Sequence, residues 1–454
     1  MSILNQRTGT TNATEHDEKQ RLILKIWRLV LVLIAMIALS FVVARWGYDF
    51  DWRLKVLTPT CFTFLVGLLI RWTYFLGRDA SFKRRNKRWE NDPAEKIEKP
   101  EGTKKTEEYE EVKAAHGAQW KYIPEAARAQ GAYFANGILA AILAPMSLLL
   151  VSLQLLVWPE GGWWAVGLII SEVGCLISLV FLAMVLREPT AEWVENRIRT
   201  ELFRREQYLA LGGVGPYLRL DGAGASEEVA RRCGGIDSAN TLELTRLIPM
   251  QERPGKTWLE SLHHRRENGL PGRTDCVERM QSYLYYRIGK QIQWFANSVR
   301  DCKENDHLWS CFLVGTILFA IMLGCFHVGH LVVGAIQCVN PENNRKLWVA
   351  VVGVLIVVLP PLGTACLSIQ NMYNFRGRSR IYTHEKALLR LQKGELEALL
   401  LKARALSSNG LSDHDRGKID FEFRAIVLRT EQTLSVEMEQ WMLLMEKSEI
   451  EVSS

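Results

Sequence analysis

Charge-free apolar runs alternate with strongly charged segments along this chain. No Asp, Glu, Lys or Arg occurs in residues 129–159, 308–341 or 347–375, and residues 163–186 are interrupted only by Glu172. A transmembrane helix needs about 20 mostly apolar residues to cross the hydrocarbon core, so each run is long enough. The pattern predicts four spans, at about 136–158, 163–186, 308–334 and 347–369.

Two weaker apolar segments, residues 26–44 and 56–76, lie near the amino terminus. Arg28 and Arg71 intrude near their ends, so a buried core hairpin or interfacial helices are an alternative to two spans. An arginine at the end of a span can reach the interface, which favours a hairpin at 26–77. We therefore predict an all-α polytopic membrane protein with about six transmembrane helices and cytoplasmic amphipathic or coiled-coil-like helices.

Basic residues after the second segment orient the chain. The stretch RDASFKRRNKR contains a cluster made of Lys83, Arg84, Arg85, Lys87 and Arg88. An excess of Lys and Arg marks cytoplasmic loops, and such a cluster also attracts anionic lipid head groups. We predict an inner-membrane protein with a polar cytoplasmic amino terminus (1–25) and a cytoplasmic carboxyl terminus. The three turns on the other side of the membrane are short, which argues against a receptor for external ligands.

Composition removes several other classes. The apolar fraction is 48%, the net charge is +6, and none of the nine cysteines forms a C-x-x-C pair. These values exclude a disulfide scaffold and a disordered chain. Positive loops of a membrane protein account for the basic balance, so nucleic-acid binding is not predicted. Neither a cofactor nor a metal site is predicted.

The cytoplasmic segments differ in character. Residues 78–113 are charged and predict a flexible linker, and 251–274 predict a loop. Helices are predicted at 191–211, where GGVGPY ends the helix, and at 382–406 and 412–447. The last helix carries a narrow apolar stripe at spacings of three or four, which fits packing within the chain and packing between subunits equally well; its members are Ile419, Phe423, Ile426, Thr430, Leu434, Met438, Trp441 and Met445.

Two parts of the chain share one order of elements. Gln119–Trp120 and Gln293–Trp294 each precede an apolar hairpin by a similar distance, and an amphipathic helix follows each hairpin. This order indicates two repeats, 114–250 and 275–454.

The second repeat resembles the SLATT family, the SMODS- and SLOG-associating two-transmembrane effectors. The resemblance rests on Tyr283, Arg287, Gln291, Trp294 and Phe295 before the hairpin and on Glu431, Glu437 and Trp441 in the tail. In the first repeat it rests on Trp193, Glu201, Arg204, Glu206, Tyr208 and Pro216. The chain departs from the usual single two-span unit, and we find no strand followed by a phosphate loop.

The resemblance implies a function in bacterial conflict or anti-phage defence. A cytoplasmic nucleotide-sensing partner protein would release a homo-oligomeric effector that forms a pore in the lipid bilayer or permeabilises it. A non-conducting membrane scaffold or sensor module that recruits cytoplasmic partners is the alternative. An enzyme is not predicted, because the chain has no H-E-x-x-H and no paired intramembrane aspartates.

Four polar residues within the spans are candidates for a conducting pathway. Glu172 is the sharpest, since a carboxylate inside a span is costly unless it is paired, protonated or facing water. A helix-packing or interfacial glutamate is the alternative. His327 and His330 could titrate or simply pack near the interface, and Gln154 could hydrogen-bond across helices.

Three prolines are candidate hinges: Pro145, Pro360 and Pro361. Proline removes a backbone donor and kinks or breaks a helix, so each could act in gating. A tolerated bend late in a span is the alternative for Pro360 and Pro361.

Overall fold

The computed structural model describes residues 103–157, 163–185, 187–220, 222–253, 256–258, 275–337, 343–407 and 412–453, together with Lys99 and Leu262. Several predictions lie outside these residues. They are the polar amino terminus 1–25, the first hairpin 26–77, most of the 78–113 linker, and the basic cluster formed by Lys83, Arg84, Arg85, Lys87 and Arg88.

The described chain is built from helices, as predicted. The elements in chain order are short 3₁₀ turns at Thr106–Glu108 and Glu110–Val112, α1 (Lys113–Val157), α2 (Trp163–Val185), α3 (Arg187–Gly212), a 3₁₀ turn at Gly215–Tyr217, α4 (Gly222–Ser238), α5 (Thr241–Leu247), β1 (Gln251–Arg253), β2 (Lys256–Thr257), α6 (Cys276–Tyr283), a π-helical segment (Leu284–Gly289), α7 (Lys290–Gln337), α8 (Asn343–Tyr373), α9 (Phe375–Ser407) and α10 (Asp413–Ser453).

Three of these helices, α1, α7 and α8, contain segments long and apolar enough to cross a membrane. A shorter apolar stretch, Val166–Val180, lies in α2. The prediction of a helical chain with long apolar segments is therefore confirmed for the described residues, and three such helices indicate a multi-pass membrane protein. In hydrocarbon, each backbone N–H and C=O group needs a hydrogen-bond partner within the protein. An uninterrupted helix supplies these partners along an apolar segment.

The described residues fall into two compact units. The apolar unit contains Leu143–Ile177 and Ser310–Thr364, and the polar unit contains the residues up to Ile142, Ser178–Trp309 and Ala365–Ser454. In the apolar unit, Leu150, Leu168 and Cys175 form a small buried cluster between α1 and α2. A Cβ added at Gly363 of α8 would lie 3.2 Å from Thr316 Oγ1 of α7, so a small residue permits close packing of these two helices.

A hairpin of α9 and α10 forms much of the polar unit. On α9 the buried residues Tyr382, Leu389, Leu396 and Ala403 recur every seven positions, which is the spacing of a coiled-coil seam. Every member of the predicted α10 stripe is buried within the single chain, so the stripe packs inside the chain. Thr430, the polar member, donates its hydroxyl hydrogen to the Ile426 carbonyl oxygen at 2.9 Å.

Glycine ends α3, as GGVGPY predicts. Gly213 adopts a φ of 60°, which L-residues with a Cβ rarely adopt. The Gly213 amide donates to the Ala210 carbonyl and the Val214 amide to the Leu209 carbonyl, at 2.9 and 3.0 Å. These two bonds satisfy the last carbonyls of the helix in a Schellman motif.

The end of the predicted flexible linker is folded instead. Residues 103–112 pack on the polar unit, with Tyr109 and Val112 buried in its main core. Glu111 pairs with Arg279 of α6 at 2.5 Å. Two apolar side chains and one buried ion pair thus fix a segment whose overall charge predicts flexibility. The predicted loop after α5 begins with the short antiparallel pair β1–β2.

Candidate functional site

Residues that carry the family resemblance meet in a buried ion-pair network of the polar unit. Arg287 donates from Nε to Glu431 Oε1 at 2.8 Å and from Nη2 to Oε2 at 2.5 Å. Tyr283 donates its hydroxyl hydrogen to the same Oε1 at 2.9 Å. All three residues are buried. Two parallel charge-assisted bonds fix both the distance and the angle between α10 and the helix that precedes α7.

Arg287 belongs to the π-helical segment and lies on the same side as Tyr283, since both contact Glu431. Such segments insert an extra residue into a helix and frequently occur at functional sites. The Arg287 guanidinium lies 5.0 Å from the centre of the Tyr208 ring, and Tyr208 meets Tyr283 edge-on at 5.6 Å. Tyr208 belongs to α3, so the site combines residues from both predicted repeats. Burial raises the pKa of Tyr208 to about 12, which keeps its hydroxyl neutral.

Two motif tryptophans flank a second arginine, and a third packs against one of them. Arg197 of α3 lies 4.0 Å from the ring centre of Trp441 and 5.8 Å from that of Trp294. Its Nη2 donates to Glu437 Oε1 at 3.2 Å, and Trp193 meets Trp441 edge-on at 5.3 Å. A desolvated guanidinium gains from aromatic faces as well as from a carboxylate. Gln291 and Phe295, two further residues of the resemblance, are also buried.

A third buried cluster joins α3 to α4. Glu206 Oε2 accepts hydrogen bonds from the Tyr217 hydroxyl and from Arg232 Nε, both at 2.7 Å. Arg232 Nη2 donates to the other oxygen, Oε1, at 3.2 Å. Glu206 is fully buried, so these donors replace the water that its charge would otherwise need.

The electrostatic environments of Glu206 and Glu437 differ. Burial disfavours the charged form of both carboxyls. At Glu206 the charge and hydrogen bonds of Arg232 outweigh burial, so its pKa is lowered. At Glu437 burial prevails over Arg197, and the nearby Glu201 adds to the effect, which raises the pKa to about 7. Glu437 is therefore expected to change charge near neutral pH.

Two polar candidates of the spans lie in the apolar unit without entering this network. Glu172 is half-buried on α2, beside Ser171, whose hydroxyl donates to the Gly167 carbonyl at 2.9 Å. Gln154 is half-buried on α1. The conducting function assigned to these residues stays a prediction.

His327 and His330 belong to α7. Among the residues that the structure describes, no group of three His, Cys, Asp or Glu side chains is placed to hold a metal ion.

The candidate hinge prolines do not interrupt their helices. Helix α1 continues through the buried Pro145, and α8 continues through Pro360 and Pro361. The Thr364 hydroxyl donates to the Pro360 carbonyl one turn earlier at 3.2 Å, a bond that serine and threonine commonly form within helices. A break in helix geometry occurs elsewhere, at Asn374, which has a φ of 44° between α8 and α9.

The two predicted Gln–Trp positions differ in environment. Trp294 packs against Tyr382 at 5.2 Å between ring centres and is half-buried. Trp120 is largely exposed, and its Nε1 donates to His116 Nε2 at 2.8 Å.

Sequence reasoning missed the arginines that complete the network, namely Arg197, Arg205, Arg232 and Arg279. A signal existed for one of them, because Arg205 adjoins Glu206, a residue that carries the family resemblance. The partners of all four come from distant segments, which helical spacing alone does not reveal.

Comparison of the chain with protein-family models, curated proteins and solved structures gives no match. The polar network, the apolar helices and the charge pattern are therefore the basis for assigning a function.

Proposed function

We propose that this chain is an oligomeric inner-membrane effector that permeabilises the membrane when it is triggered from the cytoplasm. The observation that carries the proposal is the bare apolar surface of α7. Only 6% of its most apolar 18-residue window is buried inside the chain. Val314, Leu318, Ile321 and Val328 recur at spacings of three, four and seven and are more than half exposed. Such a surface requires lipid or a second copy of the chain.

The proposal includes the membrane topology predicted from the sequence. Six spans, both termini in the cytoplasm and a SLATT-type organisation together place every large polar segment on the cytoplasmic side. The positive-inside pattern supports this orientation, and the compact polar unit would supply the receiver of a cytoplasmic trigger. A nucleotide-sensing partner protein is the trigger that the family resemblance implies.

Glu172 is the residue we assign to the conducting pathway. It lies within an otherwise charge-free apolar helix and keeps part of its side chain accessible. Carboxylates within spans usually face a bundle interior or a water-filled cavity. In an assembly of several copies, one Glu172 from each copy would form a ring of carboxylates, an arrangement that favours cations.

Ion flux tests this proposal directly. The purified chain is reconstituted into liposomes containing potassium, the proteins encoded beside it are added as the trigger, and potassium release is compared for wild type, Glu172→Gln and the matched control Val173→Leu. Val173 is an exposed apolar neighbour on the same helix. We expect release from wild-type and Val173→Leu liposomes and several-fold slower release with Glu172→Gln, because the ring loses its charge.

The same variants are tested in bacterial cells that also produce the proteins encoded beside this chain. A voltage-sensitive dye should report loss of membrane potential on triggering. Intact potential in triggered cells, together with sealed liposomes, would contradict the proposal.

A non-conducting scaffold is the second candidate. Leu391, Leu401 and Leu443 on the hairpin of α9 and α10 are each more than 60% exposed, and exposed leucines on a rigid hairpin suit docking of another protein. Liposomes that stay sealed, combined with specific capture of a neighbouring gene product by the wild-type chain but not by Leu391→Glu, would favour this function.

A further inference from the structure

A positively charged cavity lies in the polar unit, among α3, α4 and α5. Its volume is about 420 Å³, within the range of cavities that hold small organic ligands. Four arginines and two glutamates line it, so the lining carries an excess of positive charge. The arginines are Arg205, Arg231, Arg232 and Arg246.

Both glutamates of the lining are already engaged. Glu206 accepts hydrogen bonds from Tyr217 and Arg232, as described above. The Glu243 carboxylate accepts a hydrogen bond from the backbone amide of Asn240 at 2.9 Å. The backbone amide of Glu243 donates to Asn240 Oδ1 at 3.0 Å. This reciprocal capping box ties the Glu243 carboxylate to the start of its own helix. Glu228 also pairs with Arg231 at 2.6 Å and with Arg232 at 4.0 Å, so three carboxylates face four arginines and part of the arginine charge stays uncompensated.

Arg205 is a buried guanidinium with an unsatisfied donor. It is 5% exposed, and its two Nη atoms donate to the carbonyls of Ile248 and Leu247 at 2.7 and 2.8 Å. Its Nε–H has no acceptor among the described residues. A buried donor without an acceptor is destabilising, and an anionic ligand in the cavity would relieve that cost.

The other arginines offer donors at the cavity mouth. Arg246 is exposed and forms no ion pair with a described residue, while Arg231 is exposed and donates to Glu228 on its own helix from Nε at 2.8 Å and from Nη2 at 2.6 Å. The planar guanidinium matches a phosphate group through two parallel hydrogen bonds. Ile236 and Ala239 add a buried apolar wall, which suits a ring or an alkyl group.

We propose that this cavity binds a phosphate-bearing small molecule, with the phosphate among Arg205, Arg231 and Arg246 and the apolar part of the ligand against Ile236 and Ala239. The binding site is independent of membrane permeabilisation, and a chain that conducts nothing would still bind the ligand. A soluble phosphate ester and a phospholipid head group share the required chemistry, so the test includes both.

The test measures protection of individual arginines in the full chain, purified in a neutral detergent. Phenylglyoxal modifies accessible guanidinium groups, and mass spectrometry of the digested chain quantifies each site. The probes are AMP, pyrophosphate and a short-chain phosphatidylglycerol, with sodium chloride at equal ionic strength as reference. We expect at least one probe to slow modification of Arg246 and Arg231 several-fold while Arg380, which is exposed and outside the lining, reacts at an unchanged rate.

Binding affinity gives a second measurement. Isothermal titration with the protecting probe should show binding weakened about tenfold or more in Arg246→Gln and in Arg231→Gln, since each loses a charge-assisted bond. Arg380→Gln should bind as wild type. Both test substitutions are at exposed positions, so the variants should fold.

Protection by AMP or pyrophosphate identifies a soluble ligand, and protection by phosphatidylglycerol alone identifies a lipid head group. Either result supports a phosphate site. The proposal would be overturned if no probe slowed the modification of Arg246 or Arg231 more than that of Arg380. Binding of the probe with wild-type affinity by both variants would overturn it as well.

Discussion

At the scale of single residues, the polar unit depends on buried charges that are satisfied unequally. The Arg287–Glu431 pair has two short bonds and a tyrosine donor, which compensate much of the cost of removing both charges from water. Such a pair adds little net stability compared with apolar residues of similar volume. The pair instead restricts how α10 packs, because an alternative packing of α10 would leave a buried charge unpaired.

Glu437 provides the prediction at this scale. Its folded-state pKa of about 7 lies above the ordinary value of 4.5. An unfolded chain therefore releases this proton at lower pH than the folded chain, and unfolding releases a proton between these two values. The stability contributed by the neutral Glu437 carboxyl is fully present at a pH below its ordinary pKa of 4.5. It is lost as the pH rises through the folded-state pKa of about 7.

We expect Glu437→Gln to remove this part of the pH dependence. The free energy of unfolding of the wild type should decrease between about pH 5 and about pH 8, and the variant should be more stable at the upper end by on the order of 1–3 kcal/mol. Urea unfolding followed by tryptophan fluorescence measures this, since Trp441 and Trp294 lie beside Arg197. Glu397→Gln, at an exposed position, should retain the wild-type pH dependence; the same dependence in Glu437→Gln would exclude our explanation.

At the scale of elements, the junction between α8 and α9 is the clearest departure from regular helix. Asn374 adopts a φ of 44°, and its Oδ1 accepts a hydrogen bond from the Gly377 amide at 3.2 Å. Asparagine tolerates this left-handed conformation better than most residues, because its side chain bonds the local backbone. The structure thus locates a backbone turn one residue after α8, while α8 itself continues through Pro360 and Pro361.

Substitution at the junction should show this strain. We expect Asn374→Val to lower the free energy of unfolding by about 1–2 kcal/mol, because a β-branched residue resists positive φ. Asn374→Gly should be nearly neutral. Asn371→Val is the matched control, at an exposed helical position of α8. Equal thermal midpoints for the two valine variants would contradict a strained junction.

In this chain, sequence patterns predict the helices better than they predict the contacts between helices. Charge-free runs predict the apolar helices, because hydrocarbon imposes a simple requirement on composition. The α10 stripe predicts its buried face, because a helix repeats its surface every 3.6 residues. Arg197, Arg232 and Arg279 were missed, since an arginine looks solvent-exposed until a distant carboxylate is known to face it. The folded residues 103–112 were missed for a similar reason: their two anchors, Tyr109 and Val112, are few among many charges.

At the scale of the whole molecule, the two predicted repeats share one core. Helix α3 of the first repeat supplies Arg197 and Tyr208, which lie against Trp441 and Arg287 of the second. The 103–112 segment adds Glu111, the partner of Arg279. A repeat that folded alone would leave Glu437 without Arg197 and would expose the aromatic surface that α3 covers.

The core arrangement predicts the behaviour of fragments. We expect residues 275–454, produced alone in detergent, to lack a cooperative thermal transition, because one partner of a buried ion pair and several aromatic contacts are missing. Coexpression with residues 99–250 should restore a single transition and copurification. The matched control is the same coexpression with Arg197→Glu in the 99–250 fragment, which places two like charges beside each other and should abolish copurification. A cooperative transition of 275–454 alone would mean that the second repeat is an independent folding unit, as in a single two-span protein, and would contradict a core that needs both repeats.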